Sequence, residues 1–197
     1  MRVLIACEYS GVVRQAFRER GHDAWSCDLL PSEDASEHHI IGNVLPILAD
    51  NWDLMIAHPP CTHLSVSGAR WFKEKQVEQA AAIRFFSAIA DAPIPRMCLE
   101  NPVSVISTRL GPPTQIIQPW QFGHAEMKST CLWLHWLPPL MPTNVVGPPP
   151  PSGTDERKKW ERVWRMPPRG WSGDSTRWKE RSRTYQGIAT AMAEQWG

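Results

Sequence analysis

"WDLMIAHPPC", residues 52–61, decides the fold. Leu54–Ala57 is a short, unbroken apolar run, the pattern of a strand buried on both faces, and two prolines end it at once. Proline can neither continue a helix nor donate to a central ladder, so the chain turns at Pro59 and Pro60 and carries Cys61 away from the strand. The same pattern repeats outward. "RVLIAC" (2–7) is a second apolar run, followed by the tight loop "EYSG" (8–11). "VVRQAFRERG" (12–21) sets Val12, Val13, Ala16 and Phe17 at helical spacing, with Gly21 as a stop signal.

"HDAWSCDLL" (22–30) reads as another strand with Asp28 near its end, and "HHIIGNVLPIL" (38–48) as a third short run and loop. Residues 75–91 form the clearest helix, with Val77, Ala80, Ala81, Ile83, Arg84 and a Phe pair on a helical repeat. "RMCLENP" (96–102) and "STCLWLHWL" (129–137) are further strands. Short strands alternating with helices predict an α/β fold with a mostly parallel sheet, whose ligands bind at the carboxyl ends of the strands. "EYSG", Asp28, "HPPC" and "LENP" all fall there.

A chain of 197 residues, 42% apolar and 21% charged, is long enough for one domain with a real core. Its net charge of +1 makes no global case for nucleic-acid binding. The basic character is local instead. After the Pro-rich stretch 138–153, residues 155–183 hold ten Lys or Arg against five acids, with four Trp interleaved. That composition suits phosphate contact and base stacking, and equally a Trp-packed extension with solvated charges outside. "TYQGIATAMAEQWG" (184–197) closes the chain as an Ala-rich helix beginning near Gly187.

Cys7, Cys27, Cys61, Cys98 and Cys131 are widely spaced and never in C-x-x-C form, which predicts reduced thiols with neither a disulfide framework nor a metal site. No apolar run approaches the ~18 residues of a membrane span. The N-terminus also lacks a signal-peptide layout, so the expectation is a cytoplasmic protein of a bacterial or phage-infected cell.

"ACEYSG", "CDLLP", "HPPC" and "LENP", in that order, resemble the motifs of the cytosine-5 DNA methyltransferase family, above all its small phage and prophage members. The likeness covers roughly residues 1–135 and the terminal "RSRTYQGIATAMAEQWG". It implies a Rossmann-like methyltransferase fold with the catalytic core in residues 1–137, a short irregular substrate-facing insertion in 138–183 and a C-terminal helix in 184–197 completing the core. By the resemblance, Cys61 is the nucleophile that adds to C6 of the base and Glu100 the carboxyl group that serves N3.

S-adenosyl-L-methionine would be the methyl donor, held by Glu8, Tyr9, Ser10 and Gly11, by Asp28 and Leu29 at the ribose, by Asn43 and Val44 at the adenine, and by Pro59, Gly187 and Ile188. Pro60, Asn101, His124 and Lys128 would meet the base and its surroundings, and Arg165, Arg169, Arg177 and Lys179 the phosphates. DNA is the implied partner, as a duplex with the target base flipped out or as a single strand. The chain departs from the family pattern in having Thr62 after Pro-Pro-Cys and, where the family's Gln-x-Arg-x-Arg is expected, "QFGHAEMKSTCLWL" (121–134). The short insertion keeps two other readings in play: pyrimidine methylation on a nucleotide or single strand, and a nucleic-acid-binding homologue without turnover. Taken singly, Cys61 is an ordinary thiol, Asp28 a solvated acid and His63 a polar loop residue; the ordered set carries the chemistry.

Overall fold

Val3 and Ile5 alternate with Leu4 and Ala6, and all four are fully buried, so the first strand must be covered on both faces. In the computed structural model, which describes residues 1–166 and 177–197, this strand is β1 (Arg2–Ala6) in the interior of a seven-stranded sheet. It is followed by α1 (Val12–Arg18), β2 (Asp23–Asp28), β3 (His39–Ile41) and β4 (Leu54–Ala57). Then come α2 (Gln76–Ala90), β5 (Met97–Pro102), α3 (Ile106–Arg109), β6 (Gln115–Ile117) and β7 (Thr130–His135). Four helices complete the described chain: α4 (Asp155–Trp160), α5 (Arg162–Arg165), α6 (Arg177–Ser182) and α7 (Gln186–Trp196).

The strand order is β3-β2-β1-β4-β5-β7-β6. Strands β3, β2, β1, β4 and β5 pair in parallel and β7 runs antiparallel to both β5 and β6, so the α/β fold with a mostly parallel sheet read from the sequence is the one observed. One face packs on Val13, Ala16 and Phe17 of α1 and on Ile188, Met192 and Trp196 of α7. The other packs on Phe86 and Ile89 of α2.

Two elements differ from the sequence reading. The helix over 75–91 is present, but Val77 is exposed and the buried side chains are Phe86 and Ile89, near the C-terminal end. Strand β6 has no counterpart in the reading; it has three residues and follows "GPPT". Gln115 anchors it, since its side chain both donates to the Leu140 carbonyl and accepts the Leu140 N–H, each at 2.8 Å. This pins the Pro-rich stretch to the sheet. Trp196 Nε1 donates to the Pro138 carbonyl at 3.0 Å and ties the same stretch to α7.

Helix α7 enters over the Phe122 turn at a glycine. A Cβ at position 187 would lie 1.9 Å from the Phe122 carbonyl oxygen, which is backbone and cannot swing aside. Gly187→Ala is therefore expected to destabilise the fold by about 1–3 kcal/mol through overpacking. Thermal denaturation followed by circular dichroism reads this as roughly 2–4 °C lost per kcal/mol in a chain of this size.

Candidate functional site

The sheet order reverses between β1 and β4, and the crevice at that point lies outside the carboxyl ends of the strands. Register fixes what faces it. Ala6 pairs with Ala57 and Ala57 with Leu99, so the next residues, Cys7, His58 and Glu100, lie at one level; Cys7 and His58 leave the sheet there, while Glu100 continues in β5 against Leu132 of β7. His58 N–H continues the ladder to the Ala6 carbonyl at 2.9 Å. Its Nδ1 lies 3.1 Å from Glu100 Oε2, with only 9% and 13% of the two side chains exposed.

Beyond His58 the two prolines turn the chain, and Asn101 holds the turn in place. Asn101 is buried and its Nδ2 donates to the Pro59 carbonyl at 2.9 Å. The Cys61 carbonyl then accepts N–H groups from Leu64 and Ser65, both at 3.0 Å. Cys61 is thus presented, partly accessible, at the mouth of the crevice. Burial pushes its thiol up, the Glu100 carboxylate pushes further, and Lys128 and Arg181 pull the other way. For Glu100, burial also raises the carboxyl, yet the His58 hydrogen bond and the charge of Lys128 outweigh it and hold the group below the usual carboxylate range. The cluster brings together a thiol, a carboxyl group and two cationic side chains.

The loop after β1 is tightly built. Glu8 accepts the N–H groups of Val13 at 2.7 Å and Arg14 at 3.2 Å, so its carboxylate caps α1. Ser10 Oγ lies 3.3 Å from Glu8 Oε1. Gly11 has φ +76°, and a Cβ there would run into the Arg14 guanidinium and the Asp34 carboxylate. Arg14 is wholly buried; it donates to Ser26 Oγ at 2.7 Å and pairs with Asp34, while its Nε finds no partner among the described residues.

Asp28 ends β2, accepts the Leu30 N–H at 2.9 Å, and is pushed upward in pKa by burial. Leu29 beside it is exposed and Val44 is buried. Asn43 Oδ1 accepts the Leu45 N–H at 3.1 Å. Pro59 is buried and Pro60 exposed. Gly187 N–H donates to His124 Nε2 at 3.0 Å, and Ile188 lies in the core. His124 therefore serves α7, and Lys128 serves the Cys61–Glu100 pair while its Nζ reaches the Arg183 carbonyl at 3.4 Å.

The basic segment differs most from its appearance in sequence. Arg165 pairs with Glu161 at 2.8 Å, and Arg162 with Glu126 at 2.9 Å. Lys179 stands 3.9 Å from Glu33, and Arg183 also pairs with Glu33. Arg169 lies outside the described residues, and Arg177 is the first residue of α6. Helix α6 docks on the loop after β1: Tyr9 Oη lies 3.2 Å from Ser182 Oγ and its ring 5.5 Å from that of Trp178. Sequence reading assigned no role to His58, Arg14, Glu33 or Arg181. For His58 the available signal was its place one residue past an apolar run, level with an acid one residue past another.

Among the described residues, no group of three or more His, Cys, Asp or Glu could hold a metal ion, and no helix is long and apolar enough to cross a membrane. No protein-family model matches the chain, and no curated protein matches it. Among solved structures it is similar to the crystal structure of a candidate DNA modification methyltransferase encoded within a prophage of E. coli. The two share 12% identity at a TM-score of 0.49, over 76% of this chain and 52% of that one. The chain thus spans about half the length of that protein.

The electrostatics of Cys61 can be read by alkylation. Iodoacetamide labelling at Cys61, followed by peptide mass spectrometry, is expected to be slow at neutral pH and to accelerate in the alkaline range. Glu100→Gln removes the carboxylate that raises the thiol and should speed labelling at a fixed pH, whereas Lys128→Met should slow it.

Proposed function

We propose that this protein is an S-adenosylmethionine-dependent methyltransferase acting on C5 of cytosine in DNA through a covalent Cys61 adduct. One observation carries the reading: the turn after β4 and the end of β5 bring Cys61 and Glu100 together, with Lys128 facing both, at the crevice where the strand order reverses.

C5 of cytosine is a weak nucleophile, and a thiolate bonded to C6 makes it a strong one. As the Cys61 sulfur forms its bond to C6, the C5=C6 pair shifts towards C4 and the C4=N3 pair moves onto N3. Glu100 answers there by donating a proton to N3. Lys128 and Arg181 favour the thiolate over the thiol, which the buried carboxylate alone would suppress. Loss of the C5 proton and expulsion of the Cys61 sulfur restore the aromatic ring. C6 can be approached only from the face of the ring, so a duplex must release the base from its stack.

The residues at the crevice fit the methyl donor. Gly11 lets the Arg14–Asp34 pair close against the loop backbone and so shapes the loop, Arg14 Nε is a buried donor without a partner among the described residues, and Asp28 sits at the strand end where an acid accepts from ribose hydroxyls. When bound, the donor supplies an electrophilic methyl group on a sulfonium. Glu8 acts by capping α1 and so fixes the loop that carries Tyr9, Ser10 and Gly11. DNA phosphates would meet Arg165 and Lys179 by exchanging with Glu161 and Glu33. Salt dependence should therefore be shallower than the number of basic residues suggests.

The deciding experiment is transfer of labelled methyl from S-adenosylmethionine to duplex DNA, single-stranded DNA, RNA and free dCMP. Label on DNA is expected, with a loss of about 100-fold or more in Cys61→Ser and Glu100→Gln. Label confined to dCMP would move the reading to a nucleotide enzyme, and binding of the donor with no label anywhere would make the chain a non-catalytic homologue.

A further inference from the structure

The mechanism above leaves one buried polar side chain of the site without a task. His58 presents Nδ1 to Glu100 Oε2 at 3.1 Å, 9% of its side chain is exposed, and its Nε2 has no partner among the described residues. The bond to Glu100 is thus the one hydrogen bond recorded for the ring. We propose that His58 is a positioning residue that fixes which oxygen of Glu100 carries the proton offered to N3 of the base. The proposal rests on the methyltransferase reading for its substrate, but the coupling of His58 to Glu100 can be tested without it.

A carboxyl group carries one proton on one of two oxygens. Opposite a carboxylate, Nδ1 is the donor, and Oε2 is then an acceptor; a proton placed on Oε2 would face the Nδ1–H head-on. With the Nδ1–H tautomer retained, the proton of a neutral Glu100 is therefore on Oε1. That orientation matters because N3 of cytosine is an acceptor, and a carboxylate aimed at it is repelled. The free site holds Glu100 ionised, so capture of a cytosine must take up a proton, and His58 leaves one place for it. When N3 takes that proton as the Cys61 sulfur bonds to C6, the carboxylate that remains keeps the Nδ1–H bond. The same bond makes Glu100 the stronger acid.

Several groups other than His58 face this carboxyl. Lys128 approaches from the segment before β7, Cys61 from the turn after β4, Cys98 from β5 and Cys131 from β7, while Arg181 of α6 acts on Cys61. Among the described residues, His58 is the one side chain with a recorded hydrogen bond to the Glu100 carboxyl.

The test is a carbon-13 NMR titration of the Glu100 carboxyl in protein labelled at glutamate, assigned with Glu100→Gln, in wild type, His58→Ala and His58→Asn. The Asn side chain keeps an N–H near the Nδ1 position. His58→Ala is expected to raise the Glu100 midpoint and His58→Asn to return it towards wild type. A midpoint unchanged in His58→Ala overturns the proposal. Methyl transfer supplies the second readout. The rate requires protonated Glu100 and falls as pH rises through that group's midpoint in the complex. His58→Ala should move this alkaline limb to higher pH and lower the plateau rate by roughly 10-fold or more, with His58→Asn recovering most of it. A merely structural role would lower the active fraction without moving the limb, and would overturn the proposal. Wild type that transfers no methyl would sink the methyltransferase reading, while the titration still decides the dyad.

Discussion

The site depends on the parallel register of three strands. Because Ala6, Ala57 and Leu99 lie level across β1, β4 and β5, the residues that follow them lie side by side. A slip of one residue in β4 would turn its side chains to opposite faces. It would place His58 beneath the sheet and carry Cys61 away from Glu100. The core guards against that slip, since Met55 and Ala57 belong to the α2 face, and Leu54 and Ile56 to the α1 and α7 face. The hydrophobic sorting that folds the sheet is therefore also what aligns the chemistry.

Much of this was legible in the sequence because it is local. Short apolar stretches, each ended by a turn signal or an acid, locate β1, β2, β4 and β5, and the motifs at their ends converge because parallel strands share one carboxyl edge. What was not legible depends on partners distant in the chain. Strand β6 pairs with β7 and is flanked by the bonds of Gln115 to Leu140, which no period of hydrophobicity announces. The exposed Val77 shows that a helical repeat does not say how much of a helix reaches the sheet. Lys179 and Arg183 look like free cations in the sequence, and the acid they meet, Glu33, lies about 150 residues earlier.

Glu100 shows how a buried charge is kept. Burial alone favours its neutral form, and the loss of water there is offset by one hydrogen bond and one nearby ammonium group. Neither partner is close in sequence: His58 comes from β4 and Lys128 from the approach to β7. The ionised state is thus a property of the assembled sheet. It also sets a polarity for the cluster, in which the carboxylate restrains the Cys61 thiol until a ligand alters the balance.

The docking of α6 on the loop after β1 joins regions with different tasks. Tyr9 touches Ser182 and Trp178, and Glu33, on the segment that Arg14 anchors through Asp34, holds Lys179 and Arg183. Any molecule that shifts Tyr9 therefore changes the free energy with which α6 is held, and anything that lifts α6 changes the loop by the same amount. Linkage makes that exchange reciprocal. Whatever settles against either side of the crevice is therefore felt on the other through one tyrosine and one glutamate.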